Sequence, residues 1–133
     1  MVVDVLDSVL TRLRADAAIS LSLGGPRIYR KQLPPSIIYP SIVGSYVDDL
    51  DQDDSSTSNY GQARIQCTGY ASTDQAAFKL SKLIKKSLHN LVNVTLNGSN
   101  ILSIVDLGAV PDSNPDIPVY LYHRDFMVKY LDL

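Results

Sequence analysis

One stretch restricts the fold more than any other: Tyr60 to Leu91, YGQARIQCTGYASTDQAAFKLSKLIKKSLHNL. Its first part alternates. Ala63, Ile65 and Cys67 are interleaved with Gln62, Arg64, Gln66 and Thr68, which predicts a strand with one dry and one wetter face. Gly69 and the Ala71-Ser72 pair close it. The second part opens on Ser72 with Gln75 three residues later, the spacing of a capping box. Asp74 in the first turn suits the positive end of the helix dipole. Ala76, Leu80, Leu83, Ile84, Leu88 and Leu91 then form one apolar stripe at helical spacing. Lys79, Lys82, Lys85 and Lys86 lie mostly off that stripe and crowd the C-terminal half, where cations are favoured. Strand, short turn and long helix in this order predict an α+β fold.

Composition narrows the class. A length of 133 residues suits one domain, expected to span 1–133. With 45% apolar and 20% charged residues, the composition is that of an ordinary soluble globular chain. A net charge of −2 argues against a nucleic-acid binder that works by bulk charge. Every acid is Asp, which favours caps and turns over helix interiors and predicts acids in loops. The single cysteine excludes an internal disulfide. Cys67 sits in the strand pattern and reads as a small core residue. As a nucleophile it would need a base, and only His89 and His123 are available. No apolar run is long enough to span a membrane. The N-terminus carries Asp4 and Asp7 and no basic region, so it does not read as a secretory signal. Both features predict a protein made and kept in a cytoplasm.

Along the chain, Val2, Val5, Leu6, Val9, Leu10 and Leu13 follow helical spacing and predict a helix from about Val3 to Arg14. Asp16 is placed to cap a further short turn through Ile19 to Leu23, which Gly24-Gly25-Pro26 stops. Gly24-Gly25 lacks the Lys-Ser/Thr pair and the preceding strand of a phosphate loop. Ile28-Tyr29 reads as a short extended piece. Pro34-Pro35 leads into a strand from Ser36 to Val47, in which Pro40 marks an edge or a bulge. Asn97-Gly98 between two β-type runs, Leu91–Leu96 and Ser99–Leu107, is a hairpin signal. Val119 to Tyr130 is the last strand, with Phe126, Val128 and Tyr130 on one face and His123, Asp125 and Lys129 on the other.

Residues 48–59 carry Asp48, Asp49, Asp51, Asp53 and Asp54 followed by small polar residues, which predicts a loop without a core. The EF-hand spacing fails there for want of a central Gly and a closing Glu. Residues 108–118, with Pro111, Asp112 and Asp116, read as an exposed connection. His123 and Asp125 lie two apart on one strand face, with Arg124 opposite. They read as a solvated face or a subunit contact, or else as an acid–base pair lacking a third partner. His89, near a helix end, reads as a cap for carbonyls. Two separated histidines and one strand cysteine make no metal spacing, and neither metal nor cofactor is expected.

The order of these pieces resembles the small tail-completion, or tail terminator, proteins of long-tailed bacteriophages. The residues that carry the likeness are Leu13-Arg14-Ala15-Asp16-Ala17-Ala18, Pro26-Arg27-Ile28-Tyr29, Pro34-Pro35-Ser36-Ile37-Ile38-Tyr39, Ala63-Arg64-Ile65-Gln66-Cys67 and the closing run Tyr120 to Val128. The resemblance implies a mixed, mostly antiparallel sheet of about four to six strands, with an N-terminal helix and one long helix packed on one face. It implies no enzymatic activity. It also implies a virion location at the head–tail junction, as a ring, often of six copies, at the head-proximal end of the tail tube. The partners would be the tail tube protein and the head connector, with DNA passing through the ring without specific binding. From their length and composition, the 48–59 and 108–118 segments are expected to make axial or inter-subunit contacts in such a ring, through Asp48, Asp49, Asp51, Asp53, Asp54, Pro111, Asp112 and Asp116. The nearest rival is another neck component, such as an adaptor or stopper. A small enzyme using Cys67, His89 or His123 and an ordinary interaction domain are the more distant ones.

Overall fold

The structure, a computed structural model, describes residues 4–51, 60–114, 116 and 118–131. The first helix, α1 (Val5–Ala15), starts where Asp4 accepts a hydrogen bond from the Asp7 N–H at 3.1 Å. Arg30 Nη1 at 2.8 Å and the Tyr46 hydroxyl at 3.0 Å also donate to Asp4, which binds the helix start to two strands. Burial pushes the Asp4 carboxyl up. The hydrogen bonds from Arg30, the Asp7 N–H and Tyr46, with the Arg30 charge, outweigh it and hold the group below the ordinary carboxylate range. Asp16 caps α2 (Ala17–Leu23) through the N–H groups of Ala18 and Ile19, and Gly24 ends it at φ 70°. The Arg27 guanidinium donates to the Leu23 carbonyl, and to the Pro40 carbonyl at 2.9 Å. Pro26-Arg27-Ile28-Tyr29 therefore ties a helix end to the approach of a strand.

Six strands follow: β1 (Ile28–Arg30), β2 (Ser41–Asp51), β3 (Tyr60–Ala71), β4 (Val92–Leu96), β5 (Ser99–Asn114) and β6 (Val119–Leu131), with α3 (Asp74–Leu88) between β3 and β4. They form one sheet in the order β1-β2-β3-β6-β5-β4, parallel only between β1 and β2. The fold is α+β, as expected. β2 begins only at Ser41, after a cis Tyr39–Pro40 bond, rather than at Ser36. Asn97 and Gly98 take positive φ (48° and 80°) and turn β4 into β5.

Both larger helices lie on the face that carries Ala63, Ile65, Cys67, Phe126, Val128 and Tyr130, all buried. Gly44 belongs to that face, and a Cβ there would come within 2.6 Å of Leu10 Cδ2, so only Gly lets α1 sit this close. Leu80 of α3 lies over Gly69 in the same way. The core joins Leu6, Leu10 and Leu13 of α1 to Leu80, Ile84 and Leu88 of α3.

Three expectations need correction. The α3 N-cap is Thr73, whose hydroxyl accepts from the Ala76 N–H at 3.2 Å, so the Ser72–Gln75 capping box does not form. The stripe through Leu80, Ile84 and Leu88 holds, but its first buried member is Ala77, and Ala76 is exposed. The helix also stops at Leu88, where His89 and Asn90 break away toward β5, so it is shorter than the expected run to Leu91. Third, residues 48–51 and 108–114 are strand, not loop. Pairing with β3 and β6 satisfies the backbone groups on one side of each, and that outweighs the turn preference of Asp, Gly and Pro.

Candidate functional site

The face turned away from the helices is open, and it holds most of the residues that could act. The alternation of β3 and β6 puts Gln62, Arg64, Gln66 and Thr68 beside Lys129, Met127, Asp125 and His123. Arg64 donates to Asp125 Oδ2 through Nε at 3.0 Å and Nη2 at 2.6 Å, and Gln66 Nε2 donates to Oδ1 at 3.1 Å. Thr68 Oγ1 and His123 Nδ1 are hydrogen-bonded at 2.9 Å, and Gln62 Nε2 reaches Met127 Sδ at 3.1 Å. At one end of this face Tyr39 stacks on Tyr70, and Val43 and Leu121 are buried.

Beside the polar rows, β5 carries an apolar strip. Val105, Leu107 and Val110 are 45%, 49% and 65% exposed. A β-bulge between Asp106 and Gly108 shapes it, with Gly108 at φ 107°. Arg64, Gln66, Leu107, Val110, His123 and Asp125 surround a shallow hollow of about 300 Å³ there.

The bulge is fixed from the other side by a charge cluster that the sequence reading missed. Arg124 is 5% exposed on the helix-covered face. It donates to Asp106 Oδ2 at 2.8 Å and to Ser81 Oγ of α3 at 3.0 Å. Lys85 Nζ lies 3.7 Å from the same carboxylate, and the Gly108 N–H donates to its other oxygen at 3.2 Å. Burial pushes the Asp106 carboxyl up, but the Arg124 and Gly108 hydrogen bonds and the charges of Arg124 and Lys85 bring it below the ordinary range. The available signal was an Arg at an inward position between Tyr122 and Phe126, which demands a buried acid.

Chemically, the candidates do not converge. Cys67 is fully buried on the helix side, and burial pushes its thiol up to about 12, so it stays a protonated core residue. His123 is on the opposite face. Asp125 is engaged by Arg64 and Gln66, and His123 by Thr68, so the two share a face as expected but bond to β3 rather than to each other. Thr68, His123 and Asp112 form a hydroxyl–imidazole–carboxylate series. Thr68 is only 4% exposed, however, and Asp112 at 3.7 Å from His123 Nε2 is beyond hydrogen-bond range. His89 is the C-cap of α3, as expected: its backbone N–H donates to the Lys85 carbonyl at 2.8 Å, while its ring accepts the Asp106 N–H at 3.1 Å. Among the described residues no group of His, Cys or Asp could hold a metal ion.

A scan against protein families matches residues 7–116 to the family described as tail completion protein gp17. The chain belongs to that family. It is thereby a structural protein of a phage-type tail or neck, and its place is the virion. No curated protein sequence matches it. Among solved structures, a chain of the virion of a native gene transfer agent particle is similar, with a TM-score of 0.73 at 15% identity. The likeness covers 95% of this chain and 93% of that one, and it shows a shared fold.

In this tail completion fold the expected contact residues fall into three groups. Asp48, Asp49 and Asp51 lie on β2, paired with β3 from Arg64 to Gly61, beyond a bulge at Val47. Asp53 and Asp54 are outside the described residues. Pro111 and Asp112 lie on β5 opposite Tyr122 and Leu121, and Asp116 is in the turn to β6. Among the described residues, no strand pairs with the outer side of β2 beyond Gly44 or of β5 beyond Ile104, so both acidic stretches sit at open edges. No helix among them is long and apolar enough to cross a membrane.

Proposed function

We propose that this protein caps the head-proximal end of the tail tube, ends its growth and joins tail to head as a ring of identical copies. The observation that carries the reading is the family match over residues 7–116. The geometry supports it. One sheet offers unlike surfaces: a helix-covered side, an open side with an apolar strip on β5, and two acidic edges with no strand beside them among the described residues. A ring needs such unlike patches, because heterologous contacts close by rotation. One side then copies the docking surface of a tube subunit and the other does not, so growth stops. The protein acts by shape rather than by chemistry, and DNA passes through without specific binding, in keeping with a net charge of −2.

The test is to mix the protein with tail tubes assembled without heads and image them by negative stain. Density at one tube end, and tails of uncontrolled length when the protein is omitted, are the expected results. Finding it only on filled heads without tails would move it to the connector side of the neck. Failure to associate with any virion part would end the reading.

A further inference from the structure

We infer that the outer face of α3 around Phe78, Lys79 and Lys82 docks the acidic outer edge of β2, Asp48 to Asp51, from a second copy of this chain; this names the partner surfaces in the ring reading above and rests on it. Phe78 is 46% exposed on α3, in an edge-on contact with Tyr122 at 5.8 Å, and Tyr120 beside it is 39% exposed. Lys82 Nζ stands 5.3 Å above the Phe78 ring. Exposed aromatics rimmed by cations are what an interface core of modest size needs, and a buried partner would strengthen both contacts.

Charge segregation identifies the occupant. Four of the six lysines are on α3, and five of the 14 acids fall between residues 48 and 54. Lys85 is already turned to Asp106. Among the described residues no carboxylate lies within ion-pair distance of Lys79, Lys82 or Lys86. Asp48 is exposed, and among the described residues no strand lies beside the β2 edge beyond Gly44.

Position sets the two patches apart within one copy. Asp48 to Asp51 pair with Arg64 to Gly61, at the start of β3. Tyr122 pairs with Gly69 near the other end, where the Tyr122 hydroxyl meets Asp74 at the α3 start, 2.9 Å away. Between five and eight strand residues, or about 16–26 Å at ~3.3 Å each, separate the two patches along the strands. Patches of opposite sign set apart along the strands in this way are placed to meet between copies, head to tail, and that contact is heterologous.

The experiment measures self-association of the full chain by analytical ultracentrifugation, with zero-length carbodiimide cross-linking of the same samples. Association that weakens on going from about 0.05 M to about 0.5 M salt is expected. So are inter-chain cross-links from Lys79 or Lys82 to Asp48, Asp49 or Asp51. Lys79→Asp with Lys82→Asp should raise the dissociation constant at least about tenfold. Adding Asp48→Lys and Asp49→Lys to the same chain should restore association. An unaffected lysine variant, no restoration in the charge-swapped chain, or a monomer at every concentration overturns the inference. Binding of duplex DNA through these lysines without self-association also overturns it. A chain that passes these tests yet never decorates tail tubes keeps the inference and loses the neck reading.

Discussion

The two faces of the sheet are built from the same three strands by opposite rules. On the helix-covered face, Ile65, Cys67, Phe126 and Val128 are fully buried, and its charged residues, Arg124 and Asp106, are buried with each other. On the open face, Arg64 and Asp125 pair in partial contact with water, their side chains 46% and 16% exposed, beside an uncovered apolar strip on β5. Stability resides mainly on the first face, where these side chains are fully buried. The second, apart from its buried end at Val43, Thr68 and Leu121, contributes less to folding and is free to be used for contact. A bulge at Asp106–Gly108 couples them, because the carboxylate that holds it is on one face and Leu107 emerges on the other.

The sharpest way to break this contrast is to remove the buried acid. Asp106→Ala leaves Arg124 charged and unpaired in the core, and should cost about 3–5 kcal/mol in chemical denaturation. Arg124→Met with Asp106→Leu should cost less than the two single changes summed, because no charge is then stranded. Acid tests the same pair. The folded Asp106 carboxyl titrates below its ordinary value of 3.8, so its contribution is complete above that pH. It is lost as the pH falls through the lower folded value. Stability should therefore drop below about pH 4, and less steeply in Asp106→Ala. Equal slopes in the two proteins would mean that other carboxylates, Asp4 among them, carry the acid response.

Much of the covered face was legible in the sequence, and the reason is periodicity. Ala63-Ile65-Cys67 and Phe126-Val128-Tyr130 alternate, and Leu80, Ile84 and Leu88 recur at helical spacing, so burial could be read directly. Asp16 and Asn97-Gly98 could be read because each has a local mechanism, a cap and a tight turn. The strand ends were not legible. Asp48 to Asp51 and Gly108 to Asn114 have loop composition, and only pairing with a distant strand makes them β. The α3 cap was misread because Ser72 and Thr73 are both capping residues and adjacent, and the hydrogen bond chose the second. Open edges are a property of the assembled sheet. No local pattern announces that β5 outruns β4 or that β2 outruns β1.

Within the covered face, a small change should still be felt. Ile65 is fully buried in β3, and Ile65→Val removes one methylene from a close-packed site. A loss of about 0.5–1.5 kcal/mol is expected, read as a lower denaturant midpoint at unchanged slope. A change in slope would place Ile65 in a region that loosens rather than in the rigid core.

Its neighbour Arg64 points the other way, onto the open face. Arg64→Ala removes a two-nitrogen contact to Asp125, but Gln66 still donates to that carboxylate and water reaches both partners. The expected cost is about 0.2–1 kcal/mol, shrinking further at high salt. If the open face serves only the monomer, that small loss is the whole effect. If it meets a tube or connector surface, the same variant should fold normally and yet decorate tail tubes poorly, since Arg64 and Asp125 line the hollow beside Leu107 and Val110. Circular dichroism on the purified variant and negative-stain counts of decorated tube ends separate these outcomes. Full decoration by a folded Arg64→Ala chain would place the working surface elsewhere, at the open strand edges.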